Sequence, residues 1–128
     1  MSCNIYQGVY KEKGSVFYCN IKSLNSKEAL DELKKETICL HKKIKHVLVI
    51  ASYIDNNGSN VTVASNDREP IKTANEILLV LERNGIKNIG VCIARHFGGT
   101  LLGAANLGKA YYKAFNEAFI KFMNAENL

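Results

Sequence analysis

The sequence predicts an α+β two-layer sandwich with element order ββαββαβα, one mostly antiparallel sheet and its helices on one face. Three observations carry this reading. Strand-like stretches rich in β-branched and aromatic residues come in pairs, at residues 4–10 with 15–21 and 47–54 with 61–65. Stretches with apolar residues at helical spacing separate these pairs and close the chain. The chain has 128 residues, one proline and no low-complexity stretch, which suits one core without a linker, so residues 1–128 read as a single domain.

The elements follow in order. The first two strands are joined at Lys13-Gly14. Asn25 precedes a helix, starting near Ser26, with Glu28 three residues on to complete a cap. Ala29, Leu30, Leu33, Thr37 and Leu40 give that helix its apolar face. The strand VLVIASYI is apolar on both faces at first and reads as an interior strand. After the turn DNNGSN and the strand VTVAS, Thr73 to Glu76 has the form of a capping box. It opens a helix carried by Ala74, Ile77, Leu78 and Leu81 and stopped by Asn84-Gly85. In NIGVCIARHF, Ile89, Val91 and Ile93 point one way while Gly90, Cys92 and Ala94 point the other. Small residues on one side suggest a helix packed close against it. The last helix starts between Gly103 and Leu107 and runs to about Met123, burying Leu107, Ala110, Tyr111, Ala114, Ala118 and Phe122.

The longest apolar runs, Val47 to Ala51 and Ile77 to Leu81, are far short of the ~20 residues that span a membrane. The start MSCNIYQGVY lacks the basic lead and apolar block of a signal peptide. The expectation is a cytoplasmic protein with no membrane partner. Cys3, Cys19, Cys39 and Cys92 show no paired spacing, and read as free thiols, buried at Cys19, Cys39 and Cys92, rather than as a metal site.

The net charge is +5, unevenly spread. From Arg83 to Asn116 there is no acid, while Arg83, Lys87, Arg95, Lys109 and Lys113 fall in that span. HKKIKH, His41 to His46, is a second basic knot. Two readings stand: a surface for an anionic partner, or a solvated face. The strand ending at Phe97 feeds Gly98-Gly99, then Gly103 and a helix start. Open N–H groups there, with Arg95 at the strand end, form a candidate anion site. It has no P-loop spacing. The other reading is that the glycines only solve a tight backbone path.

RHFGGTLLGAANLGKAY resembles the signature of the IMPACT/YigZ family through Arg95, Phe97, Gly98, Gly99, Leu102 and Gly103. Upstream, ASNDREPIKTA is similar to a second family motif through Ser65, Asp67, Glu69, Pro70, Thr73 and Ala74. Ser15, Phe17 and Glu28-Ala29 match an opening segment and helix, and His46 stands where the family has a histidine. The resemblance runs from about Gly14 to Ala118. Departures include Val16 for a lysine, Arg68 and Asn75 for glycines, and Leu101 for a lysine.

The resemblance implies a fold like the second domain of the fifth small-subunit ribosomal protein, with an uncommon left-handed crossover. It implies the family's core domain without the appended domains of larger members. It also implies a role in translational control or stress response. On this reading the chain is a non-catalytic regulatory module with no cofactor, and its partner is a protein or ribosome-associated one. RNA or a nucleotide phosphate is the further ligand class. The alternative is an enzyme acting on a nucleotide or RNA phosphate at the Arg95/Gly98-Gly99 corner.

The candidate anion- or partner-binding residues are Arg95, His96, Gly98, Gly99, Gly103, Asn106, Lys109 and Lys113, with Arg95, Lys109 and Lys113 expected in one patch. Asp67, Glu69 and His46 are the candidate site acids and histidine. For Asp67 and Glu69 the readings are a metal or acid/base pair, or a cap on the following helix. For His46 and His96 they are proton transfer, or a structural or merely exposed ring. No Ser/His/Asp or Cys/His constellation and no metal-ligand spacing can be read, so no catalytic or metal residue is assigned.

Overall fold

A computed structural model describes residues 4–127. Cys3, among the expected free thiols, lies outside the described residues. The element order is the expected one: β1 (Ile5–Glu12), β2 (Ser15–Ser23), α1 (Lys27–Ile38), β3 (His46–Ile54), β4 (Asn60–Ser65), α2 (Thr73–Arg83), β5 (Ile89–His96) and α3 (Ala104–Ala125). The strands form one sheet in the order β1-β2-β5-β3-β4, with every neighbouring pair antiparallel. Both β3 and β5 are interior strands, as their apolar runs require.

One expectation is corrected. The helices do not share a face. Ile89, Val91 and Ile93 join Leu48, Ile50, Phe17 and Ile21 in a core covered by α2 and α3. Cys92 and Ala94 join Val47, Val49, Ala51 and Tyr53 in a second core, covered by α1 through Leu30 and Leu33. The arrangement is three layers rather than two. The physical reason is in β3 and β5 themselves: strands apolar on both faces need cover on both. The small residues of β5 admit that cover. A Cβ on Gly90 would stand 2.5 Å from the Leu24 side chain and 3.1 Å from that of Leu30.

This placement fixes the handedness of the connections. α1 carries the chain from β2 to β3 across β5, and α2 carries it from β4 to β5 across β3. The two crossovers start from strands of opposite direction and step oppositely along the sheet. Equal handedness would put both helices on one face. They lie on opposite faces, so one crossover is of the uncommon left-handed type.

Helix starts differ in detail from the sequence reading. Ser26, not Asn25, caps α1, its Oγ accepting from the Ala29 N–H at 3.1 Å. The Thr73 hydroxyl does not cap α2 but donates to the Gly108 carbonyl of α3. The cap comes instead from the preceding loop, where Asn66 Oδ1 accepts from the Ala74 N–H at 2.9 Å. Cys19 and Cys92 are buried free thiols, but Cys39, at the end of α1, is exposed.

Antiparallel pairing gathers four loops at one end of the sheet. His46 opens β3 opposite Arg95 near the end of β5. Phe17 of β2 is Arg95's partner on the other side. The β1–β2 turn, the loop entering β3, the loop leaving β4 and the glycine turn after β5 therefore meet there.

Candidate functional site

Arg95 stands at the centre of this end. Its guanidinium donates to both carboxylate oxygens of Glu69, Nε to Oε2 at 2.8 Å and Nη2 to Oε1 at 3.1 Å. The hydroxyl of buried Tyr111 donates to the same Oε2 at 2.5 Å. The pair is well enclosed, with side-chain exposures of 14% for Arg95 and 5% for Glu69. Burial works against the Arg95 charge, but the hydrogen bond and charge of Glu69 outweigh it, and the guanidinium is held above its ordinary value. Burial, followed by the hydrogen bond to Glu69, pushes the Tyr111 phenol far above its ordinary range, so it remains a donor. Tyr111 was expected only as a core residue. Its polar tip completes this network while its ring packs edge-on against Phe17, centroids 5.0 Å apart.

The two candidate acids separate. Asp67 and Arg68 both take positive φ, 50° and 62°, and this kink turns the carboxylates to different partners. Asp67 Oδ2 accepts from the Val47 N–H at 3.0 Å and lies 3.4 Å from His46 Nδ1. That nitrogen is enclosed and out of line for a hydrogen bond. Neither acid caps α2, and the two do not form a pair. Asp67 anchors the start of β3, while Glu69 anchors Arg95. Among the described residues, no group of His, Cys, Asp and Glu is placed to hold a metal ion.

The glycine turn is bound to the β1–β2 turn. The Gly98 N–H donates to Ser15 Oγ at 3.0 Å. Gly98 does not need positive φ. It needs the absence of a Cβ, which would stand 2.0 Å from the Gly14 carbonyl carbon and 2.4 Å from the Ser15 nitrogen. Gly99 and Gly103 do take positive φ, 91° and 79°. Gly103 is the N-cap of α3, with no side-chain cap and no acid in the first turn. The space in front of it, about 250 Å³, is lined chiefly by apolar groups such as Pro70, Phe97, Leu102 and Leu107, with Arg95 and Glu69 at its wall.

The expected patch of Arg95, Lys109 and Lys113 does not form. Lys109 and Lys113 project from α3 into a separate 450 Å³ depression beside the start of α2, with Lys72 and Glu76. Lys113 is also engaged by Tyr10, donating to its hydroxyl at 3.2 Å with Nζ 4.9 Å from the ring centroid. Asn106 is exposed and donates to the Leu102 carbonyl. His96 faces the α1 side and stacks on His41, centroids 4.0 Å apart. Partial burial, then the nearby His41 and Lys43, lowers its pKa.

Arg95 instead meets the second basic knot. A cavity of about 590 Å³ is lined by Lys42, Lys43, Lys45, His46, Arg95, Phe97 and Leu101, with no acid among them. The three lysines are exposed, and no carboxylate pairs with them among the described residues. Phe97 lies 5.8 Å from the Arg95 guanidinium and is 45% exposed; Leu101 is 84% exposed. HKKIKH was visible in the sequence as a basic knot. Its meeting with Arg95 rests on β3–β5 pairing, which spacing alone does not give.

A family model described as the Impact N-terminal domain matches residues 13–119. The IMPACT family member YvyE of Bacillus subtilis (strain 168) is 28% identical over 104 residues, covering 80% of this chain and 47% of that protein. A crystal structure of a hypothetical protein superposes with a TM-score of 0.75 at 27% identity, covering 91% of this chain and 57% of the other. The two-domain translational regulator Yih1 superposes with a TM-score of 0.52 at 24% identity, covering 91% of this chain and 46% of that one, a likeness of fold. The chain thus spans about half the length of each of these relatives.

Proposed function

This chain belongs to the IMPACT family, and we propose that it is a regulatory module of translation, acting by binding a protein or ribosome-associated partner in the cytoplasm. Translational control, including control under stress, is the setting in which this binding operates. The observation that carries the reading is the end of the sheet at Arg95. There Lys42, Lys43 and Lys45, with no carboxylate partner among the described residues, surround exposed Phe97 and Leu101. Charge and apolar surface together, without an opposing acid, suit recognition of an acidic surface. The fold likeness to a protein named as a translational regulator supports the same direction.

The acids favour binding over catalysis. Both oxygens of Glu69 are taken by Arg95 and Tyr111, and Asp67 is spent on the backbone of β3. Neither lines the cavity. The test is capture from native lysate, with and without RNase, by the wild type and by a Lys42→Glu/Lys45→Glu variant. Translation components that survive RNase and are lost with the variant are the expected result. Capture unrelated to translation would overturn the reading. Turnover of a nucleotide or RNA, lost in the variant, would replace it with the enzymatic alternative.

A further inference from the structure

The geometry points to the cavity between the β3-entry loop and the glycine turn as a binding site for single-stranded RNA, with a base on Phe97 and the phosphates on Lys42, Lys43 and Lys45. The choice of RNA rests on the translational reading above; the choice of a single strand rests on the cavity itself.

Three features select this occupant. First, the lining is cationic and uncompensated, as a phosphate backbone requires. Arg95 adds little free charge because Glu69 holds it in a bidentate pair. The lysines therefore supply the attraction. Second, the cavity contains an accessible aromatic face. Phe97 is 45% exposed, has the Arg95 guanidinium over one face of its ring at 5.8 Å from the centroid, and is flanked by Leu101, so a base would take the opposite face. An unstacked base can lie on a phenyl ring or a guanidinium plane, whereas the stacked bases of a duplex cannot reach it. Third, the size fits: 590 Å³ lies in the range of about 300–1,000 Å³ for sites that enclose small ligands or single residues of a polymer. The lysines spread along one loop over four successive positions, 42 to 45.

A purely acidic peptide with no apolar side chain would use the same lysines but would gain little from the ring. Phe97 is therefore the residue that separates the two. The rival basic pair, Lys109 and Lys113, lies in the other depression, with Glu76 in its lining and Tyr10 on Lys113.

The experiment is fluorescence-anisotropy titration of the purified chain with a labelled uridine RNA of about ten nucleotides. A duplex RNA of equal length, a uridine mononucleotide and a polyglutamate peptide are the comparison ligands, at several salt concentrations. The single strand should bind tightest. Phe97→Ala should weaken it about tenfold, the loss of one stacked base. Lys42→Ala/Lys43→Ala/Lys45→Ala should lower the log–log salt slope by about two units, at ~0.7 per single-strand phosphate. Lys109→Ala/Lys113→Ala should change neither. All of these side chains are at least partly exposed, and circular dichroism of each variant checks its fold. Equal binding of duplex or polyglutamate, insensitivity to Phe97→Ala, or a loss traced to Lys109 and Lys113 would overturn the assignment. Absence of RNA binding alongside RNase-resistant capture of translation proteins would sink this inference and leave the proposed function standing. RNA binding without any such capture would do the reverse.

Discussion

Arg95 carries the family signature, yet it is a structural residue before it is a surface one. Replacing it with alanine leaves Glu69, 5% exposed, as a carboxylate with Tyr111 as its one remaining donor. Breaking a buried pair in this way costs about 3–5 kcal/mol, because the orphaned charge keeps its desolvation penalty. For a domain of ordinary stability, about 5–15 kcal/mol, that is a large fraction. With a urea m-value of about 2 kcal/mol/M, the midpoint should fall by roughly 2 M. Far-UV circular dichroism is the natural probe, since the chain has no tryptophan. The double variant Arg95→Met/Glu69→Leu removes both charges and should recover part of the loss, the Tyr111 hydroxyl being left without its acceptor; with the single variants Arg95→Met and Glu69→Leu it closes a cycle whose coupling energy should be at least about 2 kcal/mol. Tyr111→Phe should cost a further, smaller ~1.5–3 kcal/mol, the value of a hydrogen bond to a charged group. If Arg95→Ala cost less than about 1 kcal/mol and the cycle closed additively, the pair would behave as a solvated surface bridge, and the reasoning would fail.

Three other perturbations test the frame around the site. Gly98→Ala places a Cβ 2.0 Å from the Gly14 backbone and should destabilise by about 1–3 kcal/mol or more; a neutral result in the same urea assay would show that the two turns are free to part. Arg68→Gly should stabilise by about 0.5–1 kcal/mol, since φ of 62° strains any residue with a Cβ by more than glycine's extra unfolded-state entropy costs; a loss would show that the Arg68 side chain holds a contact. His96, whose pKa is lowered from 6.5 by partial burial and then by His41 and Lys43, makes stability fall with acid. Below about pH 6.5 the unfolded chain takes up the proton first, so stability drops until the folded histidine also protonates. His96→Gln should flatten that part of the urea-midpoint profile, and an unchanged slope would assign the acid sensitivity elsewhere.

The elements were legible because each rests on local signals. Apolar alternation gave the strands, helical spacing gave the helices, and the Gly90, Cys92, Ala94 series announced a close helix on that side of β5. The same series contradicted the expectation of helices on one face. Ile89, Val91 and Ile93 also needed cover, and only helices on both sides satisfy both sets. Cap assignments failed for a different reason. A capping box puts the acceptor at Thr73 itself, but the acceptor used, Asn66 for the Ala74 N–H, lies across a loop whose path depends on two positive-φ residues.

The site was legible in its residue types and not in its grouping. Proximity in sequence put Arg95, Lys109 and Lys113 together, because no acid intervenes between them. In space a helix turns its residues away from the strand that precedes it, and α3 delivers Lys109 and Lys113 to the start of α2. The acid that governs Arg95 comes from 26 residues upstream. An acid-free run therefore does not make an acid-free surface. The uncompensated charge lies where two strand ends are registered, at His46 opposite Arg95, and its lysines belong to a knot about 50 residues earlier in the chain. Register brings these segments together, and Glu69 removes Arg95 from the free charge. What remains is Lys42, Lys43 and Lys45 beside a ring on the glycine turn, so the partner's affinity should follow the lysines and its selectivity should follow Phe97.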